Sequence, residues 1–561
     1  MNTLLRRSVT GAIAGALSSA ALVVTSEHPL LSVGLGFAIG AAYSATLRPT
    51  RGAYVDNLMA AASLGVPLWT LISVIALPLS FGQMPEWSAA QMRQLFPALV
   101  GWVMYGAGLG LITQALNDIV ERAFGPEPLP SPPAEKKRIV ILGGGFAGMR
   151  VAEYLEEQLG ASVSTTLVSE TNALLFTPML AEVAGSSLEP SHITTPLRSS
   201  LHSTEFIRGR VAGIDLAARR VILADGSSTS CEKSPHIPYD HLVLALGAVS
   251  NYLGMANLEK FSFNFKTLLD AIRIRNHVIE MFERADRERD CSLRTAILTF
   301  VVAGGGFAGI ELAGALNDFA RGILADYPSL HAEELKVIVV HSRERILPEL
   351  SESLAHYAQR RMEDRGVAFR LNTRLTDAHP GMVALSDGEI RAHTLVWTAG
   401  TAPNPLLKSL PVEKDKRGAV VVDHTLAVPG HPGLWALGDC AAILDARTGK
   451  ACPPTAQFAL REAELLAQNI KGQVEGSPLR RFHFNSLGAL CVVGHQTACA
   501  ELTLPFTRGA SMRFSGLLAW FMWRGIYLSK LPGLERKIRV LMDWTIELFF
   551  PRDIVQTIDL K

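Results

Sequence analysis

Charged residues are spaced unevenly along this chain, and their spacing divides it before any motif is read. Within residues 1–127, charge-free stretches run between Arg7 and Glu27, His28 and Arg48, Asp56 and Glu86, and Arg93 and Asp118. Each holds roughly 18 or more residues, enough for a helix to cross a hydrocarbon core of about 30 Å. Ser8–Ser26 is marginal and rich in Ala, Gly and Ser, while the third stretch is long enough to tilt. Helices buried in a soluble core are the alternative, but four such runs in succession point to a membrane.

Orientation follows from the flanking charges. Arg6 and Arg7 precede the first span and Arg48 and Arg51 separate the second from the third, whereas Glu27 and Glu86 mark the opposite loops, with Arg93 the exception. Positive residues stay in the cytoplasm, so four spans leave both ends inside. Leu5-Arg6-Arg7-Ser8 weakly resembles a twin-arginine signal, but the three later spans argue against a cleaved leader. The expectation is an all-α four-helix transmembrane domain over 1–127, multi-pass in a cell inner membrane, with the remainder on the cytoplasmic side. A stiff Pro-rich linker over 128–136 bounds it.

From residue 137 the pattern changes. Lys137–Leu142 reads as a buried parallel strand, Gly143-Gly144-Gly145-Phe146-Ala147-Gly148 follows at once, and Met149–Gln158 reads as a helix. A lone GxGxxG is weak, but strand, glycines and helix in that order form a dinucleotide-binding fingerprint. Gly143 permits the tight turn, Gly145 lets the backbone approach a pyrophosphate, and Gly148 lets helix and strand pack closely. The helix N-terminus, with Phe146 and Ala147 in the loop leading into it, offers N–H groups to phosphates. The second strand, Val163–Ser169, ends at Glu170, where a carboxylate can accept both ribose hydroxyl bonds of an adenosine.

The hexapeptide then recurs. Thr299–Ala303 leads into Gly304-Gly305-Gly306-Phe307-Ala308-Gly309 and a helix from Ile310, so Gly304, Gly306 and Gly309 repeat the three roles. Two such sites imply one flavin and one nicotinamide, because the pairing lets a hydride pass between two rings. FAD and NADH or NADPH are therefore the expected cofactors. Tyr239–Gly247 and Thr394–Gly400 read as strand ends feeding interdomain crossovers at Gly247 and Gly400, and Gly433–Asp439 places an acid after a strand and the turn at Gly438.

Composition agrees once it is divided. The chain is 48% hydrophobic and 19% charged with mean hydropathy +0.22, but residues 1–127 carry only 12 of its 105 charged side chains. So apolar a chain is not disordered, and a net charge of +1 gives no basic field for nucleic acid. Its 561 residues suggest three or four domains. The six cysteines (Cys231, Cys291, Cys440, Cys452, Cys491, Cys499) form no CxxC or metal-type cluster, which suits buried or indifferent thiols in a reducing compartment, and no metal site is evident.

Gly433–Asp439 resembles the two-dinucleotide-binding-domain flavoproteins, in which the acid of the Gly-Asp motif hydrogen-bonds the FAD ribityl chain; the resemblance gives Asp439 that role. The disulfide reductases of that superfamily need a redox pair soon after the first ribose acid, and no cysteine occurs between Gly148 and Cys231. Cys440, beside the motif, suits packing better than catalysis. Over roughly 136–556 the chain resembles the type II NADH:quinone oxidoreductases. Phe176-Thr177-Pro178-Met179-Leu180, Gly309-Ile310-Glu311 and Pro453-Pro454-Thr455-Ala456-Gln457-Phe458-Ala459 carry that resemblance.

The last of these segments resembles the family's AQxAxQ stretch, which lies beside the isoalloxazine and contributes to the quinone site. Ala456, Gln457 and Ala459 match, but Arg461 stands at the second glutamine position, with Glu462 after it. The resemblance makes Glu311 a carboxylate near nicotinamide and flavin; an acid stabilising a helix N-terminus is the equal alternative. After Val339-Val340 the family's ribose-binding glutamate is replaced by His341-Ser342-Arg343. That weakens NADH selectivity, and Arg343 either favours the 2′-phosphate of NADPH or lies in solvent.

Residues 514–523 are nearly all apolar around Trp520 and Trp523, and seven basic residues face one acid between Arg508 and Arg539. Such a helix suits the interface of an anionic membrane, or else domain or dimer packing. The expected fold class is α/β: two Rossmann-like dinucleotide-binding domains, preceded by the four-helix membrane domain. FAD would take 137–255 and 398–470, NAD(P)H 256–397, and 471–561 would be a membrane-associating and quinone-access region.

The expected activity passes hydride from NAD(P)H to FAD and two electrons on to ubiquinone or menaquinone, with Glu311 and Gln457 as catalytic candidates. Proton pumping is not expected, since no acidic or basic residue lies inside the four stretches. Membrane lipid is a further partner, and a homodimer through the small-residue faces of Gly11–Ala21 and Gly34–Ala45 is one option. The rival readings are a flavin reductase with another acceptor (a sulfide:quinone or ferredoxin-type relative) and a membrane scaffold or redox sensor.

Overall fold

Small residues decide how the N-terminal helices meet. The computed structural model describes residues 3–25, 29–46, 54–80, 82, 94–124, 136–224, 236–503 and 511–556. It divides into two units, Met1–Ser131 and Pro132–Lys561. The loop charges Glu27, Arg48, Arg51, Glu86 and Arg93, the linker residues 128–135, Cys231 and Arg508 lie outside the described residues.

The first unit contains α1 (Thr3–Ser18), α2 (Pro29–Thr46), α3 (Tyr54–Ser63) and α4 (Phe96–Phe124). A Cβ on Gly11 would lie 2.2 Å from the Gly40 carbonyl oxygen, and one on Gly15 would lie 2.1 Å from that of Gly36. Only glycine lets α1 and α2 approach so closely. The small-residue faces that the sequence offers to a second copy are thus occupied within the chain itself. Tyr105 on α4 donates to the Gly36 carbonyl at 2.8 Å, Trp102 donates to Ser73 Oγ at 2.9 Å, and Asn57 donates to Gln114 Oε1 at 3.0 Å. Each bond satisfies polar atoms that lipid could not.

Among the described residues, three helices are long and apolar enough to cross a membrane: Pro29–Thr46, Tyr54–Ser80 and Phe96–Val120. Ser8–Val24 is apolar but shorter, in line with its marginal length in the sequence. The second of these spans contains a π-helical run, Trp69–Ala76, lying between Pro67 and Pro78. Each proline removes an N–H from the helical ladder, so the hydrogen bonding must shift locally.

The second unit opens with β1 (Lys137–Leu142), α5 (Phe146–Gln158), β2 (Val163–Ser169), the short α6 (Leu180–Ala184), β3 (Glu205–Arg208) and β4 (His241–Leu244). A second sheet follows, built from β5 (Phe263–Asn264), β6 (Thr299–Ala303), β7 (Lys336–Val340), β8 (Val367–Arg370) and β9 (Thr394–Trp397), with α7 (Phe307–Ile323) after β6. The chain then returns to the first sheet through β10 (Leu434–Ala436). The orders are β10-β4-β1-β2-β3 and β5-β9-β6-β7-β8, every pairing parallel. β6 is buried along its whole length, as a parallel strand covered on both faces should be. Both sheets are doubly wound, so their ligand crevices lie at the carboxyl ends of β1 and β6.

Beyond α8 (Ala456–Glu475) an antiparallel sheet of β11 (Gly488–Gly494), β12 (Thr497–Thr503) and β13 (Ser511–Ser515) precedes α9 (Gly516–Lys530) and α10 (Leu534–Glu547). Trp520 and Trp523 are 5% and 1% exposed and face the interior, while Leu517, Leu518 and Phe521 face out. Arg524 does not reach outward either: it is stacked between the Trp520 and Trp544 rings, 3.8 and 4.6 Å from their centroids.

Candidate active site

Two glycine loops build the site. Gly143 has φ +109° and Gly304 φ +130°, conformations that only glycine adopts without strain. A Cβ on Gly148 would come within 1.9 Å of the Gly143 carbonyl oxygen, and one on Gly309 within 2.0 Å of that of Gly304, so each third glycine is required for helix–strand packing. At Gly145 a Cβ would meet nothing within 4 Å, and at Gly306 only a Glu349 oxygen at 3.9 Å. Those faces are open, at the N-termini of α5 and α7, where the first N–H groups lack intrahelical acceptors. Both cradles fit a pyrophosphate.

The first cradle gathers the residues that the sequence pairs with FAD. Glu170 follows β2 and is exposed. Gly438, at φ +70°, turns so that a Cβ there would touch the Cβ atoms of Ala147 at 3.5 Å and Ala459 at 3.9 Å. The Gly-Asp motif, the first fingerprint and the start of α8 therefore meet. Gly438 N–H donates to Glu462 Oε2 at 2.8 Å, and burial pushes that carboxyl up to about 7. Asp439 lies near enough for its charge to act on Lys266, whose ammonium is lowered by burial. Neither Glu462 nor Lys266 is marked by a motif; their roles arise from distant segments brought together. Cys440 is buried, its thiol donates to the Leu244 and Leu437 carbonyls, and burial pushes it up to about 12, which leaves it a packed, inert group.

Gly247 and Gly400 stand at opposite ends of a short ladder at the crossovers, Gly247 accepting from Asn404 N–H and Gly400 from Asn251 N–H. Ala248–Ser250 and Thr401–Pro403 pair antiparallel, and both glycines have positive φ, +63° and +133°. Around the second cradle, His341 replaces a carboxylate at the end of β7. Its Nδ1 accepts the Gly305 N–H at 3.1 Å, so the proton of the neutral ring sits on Nε2, which is buried and meets no partner among the described residues. Burial, with Arg343 nearby, holds the imidazole below its ordinary value and therefore neutral. Arg343 itself is exposed.

Glu311 is the fifth residue of α7, past the N-terminal turn, which excludes a purely helix-capping role. Its Oε1 accepts from Val492 N–H and from Trp523 Nε1, each at 3.3 Å, and burial raises the carboxyl to about 8. Gln457, in the first turn of α8, accepts from Ser486 at 3.0 Å and from Leu487 N–H at 3.2 Å. The two catalytic candidates do not touch. Glu311 leans on Val492 within β11 and Gln457 on Ser486 and Leu487 just before it, backbone positions about 17 Å apart along an extended strand. Arg461 is exposed, paired with Glu464 at 3.1 Å and lying over Phe484. From Trp523 an edge-to-face aromatic series runs through Tyr527 and Phe176 to Phe146 of the first cradle.

Known proteins share this arrangement. Residues 137–463 match the pyridine nucleotide-disulphide oxidoreductase family, and 486–553 match the NDH2 C-terminal domain. The type II NADH:quinone oxidoreductase Ndh of Mycobacterium tuberculosis is 30% identical over 442 residues, covering 76% of this chain and 91% of that protein. The internal alternative NAD(P)H-ubiquinone oxidoreductase A1 of Arabidopsis thaliana is 28% identical over 449 residues, covering 76% and 86%. NDH2 of Plasmodium falciparum, solved in complex with NADH, superposes with a TM-score of 0.68 at 18% identity, covering 75% of this chain and all of that one. At that identity the likeness speaks for the fold alone.

Proposed function

We propose that this chain, which belongs to the type II NADH:quinone oxidoreductases within the pyridine nucleotide-disulphide oxidoreductase family, binds FAD that takes a hydride from NAD(P)H and passes two electrons to a membrane quinone. The observation that carries this reading is the pair of open glycine cradles in one unit, with the Gly-Asp motif folded against the first. Gly143, Gly145, Phe146, Ala147 and Gly148 would hold the FAD pyrophosphate, Glu170 its ribose, and Asp439, with Lys266 beside it, the ribityl chain. Gly247 and Gly400 form the crossovers that flank both cofactors. Gly304, Gly306 and Gly309 would hold NAD(P)H.

His341 gives the donor site its character. A carboxylate there would repel a 2′-phosphate, whereas a neutral imidazole does not, and Arg343 adds positive charge. Hence the site accepts NADPH as well as NADH. Gln457, at the start of α8, would face the flavin and the quinone, which is ubiquinone or menaquinone. Positioning and electrostatics are the protein's contribution. The charge-free spans give no chain of ionisable groups across a membrane, so the activity is without proton pumping.

The first unit would anchor the enzyme as a multi-pass protein of the inner membrane, with the flavoprotein unit cytoplasmic. Outward-facing Leu517, Leu518, Phe521, Leu541 and Met542 suit contact with lipid. A homodimer would need a surface other than the small-residue faces that α1 and α2 bury against each other. Purified full-length protein in detergent, given NADH or NADPH with and without a short-chain ubiquinone or menaquinone, tests the reading. Complete flavin reduction without quinone-dependent turnover would remove the quinone and favour a sensor or scaffold.

A further inference from the structure

Reduction of a quinone by NADH consumes a proton: NADH, one H⁺ and quinone give NAD⁺ and quinol. That proton must come from water, through a protein that excludes water from its reacting groups. A cavity of about 40 Å³ lies beside Glu311, lined also by Glu182, Asp318, His495, Arg524, Glu547 and Arg552 among others. Glu311, Ala315 and Asp318 recur every three to four residues along α7 and so form one stripe on the cavity wall, with the small Ala315 keeping the space open.

The carboxylates of this cavity are not alike. Glu547 of α10 binds both arginines, Arg524 at 3.0 Å and Arg552 at 2.8 Å, and is held below its ordinary value. Asp318 faces Arg365 at 3.6 Å and accepts the His495 N–H. Glu182, on α6, is left over: it accepts Trp544 Nε1–H at 3.0 Å, and Arg524 comes only to 4.0 Å. The charged groups facing it are Arg524 from α9, Glu547 from α10, Arg552 from the C-terminal segment and Glu311 from α7. Around Glu311 stand Glu182, Trp523, Tyr527 and Cys491.

We propose that this cavity is the entry route for the proton consumed in quinone reduction, and that Glu182 passes the proton to Glu311. The inference rests on the quinone-reductase reading above. His495 and Asp318 line this cavity and are only partly buried, so the route would open to water on their side. Glu311 gives up its proton as the quinone is reduced, the proton held on Glu182 then moves across the cavity to the emptied Glu311 carboxylate, and Glu182 is reloaded from water; no electron moves in these transfers. Burial raises Glu182 to about 7 and Glu311 to about 8, so each holds a proton near neutral pH and releases it readily. Glu547, ionised by two arginines, cannot substitute.

The test compares full-length, FAD-bound wild type with Glu182→Gln and Glu182→Asp, using two acceptors. A short-chain quinone needs the proton; ferricyanide takes electrons alone. Glu182→Gln should lower quinone turnover about tenfold and move its pH profile, with a changed solvent isotope effect. Flavin reduction by NADH and ferricyanide turnover should stay within twofold of wild type, and Glu182→Asp should recover part of the loss.

An infrared titration of the wild type reads the same groups without turnover: a protonated carboxylic carbonyl band should disappear between about pH 6 and 9, in part absent from Glu182→Gln. Equal quinone turnover and an unchanged pH profile in Glu182→Gln would overturn the route while leaving the enzyme's function intact. No titrating band in the wild type would overturn it whatever becomes of the variants. A wild type that reduces ferricyanide but no quinone would remove the function reading, and the route with it.

Discussion

Two loops of this protein have the same six residues, Gly-Gly-Gly-Phe-Ala-Gly, at 143–148 and 304–309, and nearly the same shape. Their first glycines have φ +109° and +130°, and their last are packed within 2 Å, at a notional Cβ, of the first glycine's carbonyl oxygen. What separates them stands one strand later. The first is followed by Glu170, exposed and acidic, the second by His341, neutral and folded over Gly305. The hexapeptide thus builds a phosphate cradle without choosing a dinucleotide; the choice belongs to residues the motif does not contain.

The largest effect should come from Gly148→Val. A branched side chain cannot fit where even Cβ would lie 1.9 Å from a carbonyl oxygen, and relieving the clash must move β1 or α5. Purified protein should carry less than about a tenth of the wild-type flavin per chain, and wild-type flavin content would show that the two cradles are not built alike. Gly309→Ala makes the matching change in the second cradle. It should keep its flavin while kcat/KM for NADH falls about 100-fold, roughly 2.7 kcal/mol. Loss of flavin in this variant as well would mean that the cradles are coupled rather than independent.

Each cradle also has a buried ionisable group leaning on a glycine N–H, and here the two should behave oppositely with pH. Glu462, which accepts the Gly438 N–H, has its carboxyl raised from 4.5 to about 7. The folded protein therefore binds the proton more tightly than the unfolded chain, and the stability this gives is full below pH 4.5 and lost as pH rises through about 7. His341 is lowered from 6.5, so its contribution is full above that pH and lost as pH falls through the lowered value. Glu462→Gln should therefore raise Tm at pH 8 by the equivalent of about 2–3 kcal/mol and leave it unchanged near pH 4.5. An equal change at both pH values would refute burial of an ionisable carboxyl as the cause.

The sequence makes plain those features that are local. Strand, glycines and helix are contiguous, so both cradles and the doubly wound fold can be read directly, and charge-free runs can be counted as candidate spans. Features that depend on which segments meet cannot be read that way. Glu462 and Lys266 acquire their surroundings from Gly438 and Asp439, far away along the chain. Trp520 and Trp523 lie on a short apolar run whose inward face is set by α10 and β12, so composition alone does not say which of its side chains are buried. The small residues of α1 and α2 signal a close contact, but not whether the contact is with another chain; Gly11 sits so near Gly40 that an added Cβ would lie 2.2 Å from its carbonyl oxygen, which places the contact inside this one.

The remaining difference between the cradles can be removed with one substitution. His341→Glu gives the second loop the acid that the first already has after β2. Glutamate can still accept the Gly305 N–H that His341 Nδ1 accepts at 3.1 Å, so the loop should keep its shape. What changes is charge. A carboxylate accepts both ribose hydroxyl bonds of NADH and repels the 2′-phosphate of NADPH. The ratio of kcat/KM for NADPH to that for NADH should fall about tenfold, roughly 1.4 kcal/mol, with most of the change on the NADPH side. The exposed Arg343 is untouched by the substitution, so any preference for NADPH that survives would belong to that arginine. A ratio that does not move at all would mean that residue 341 never meets the ribose and that the two cradles differ for another reason.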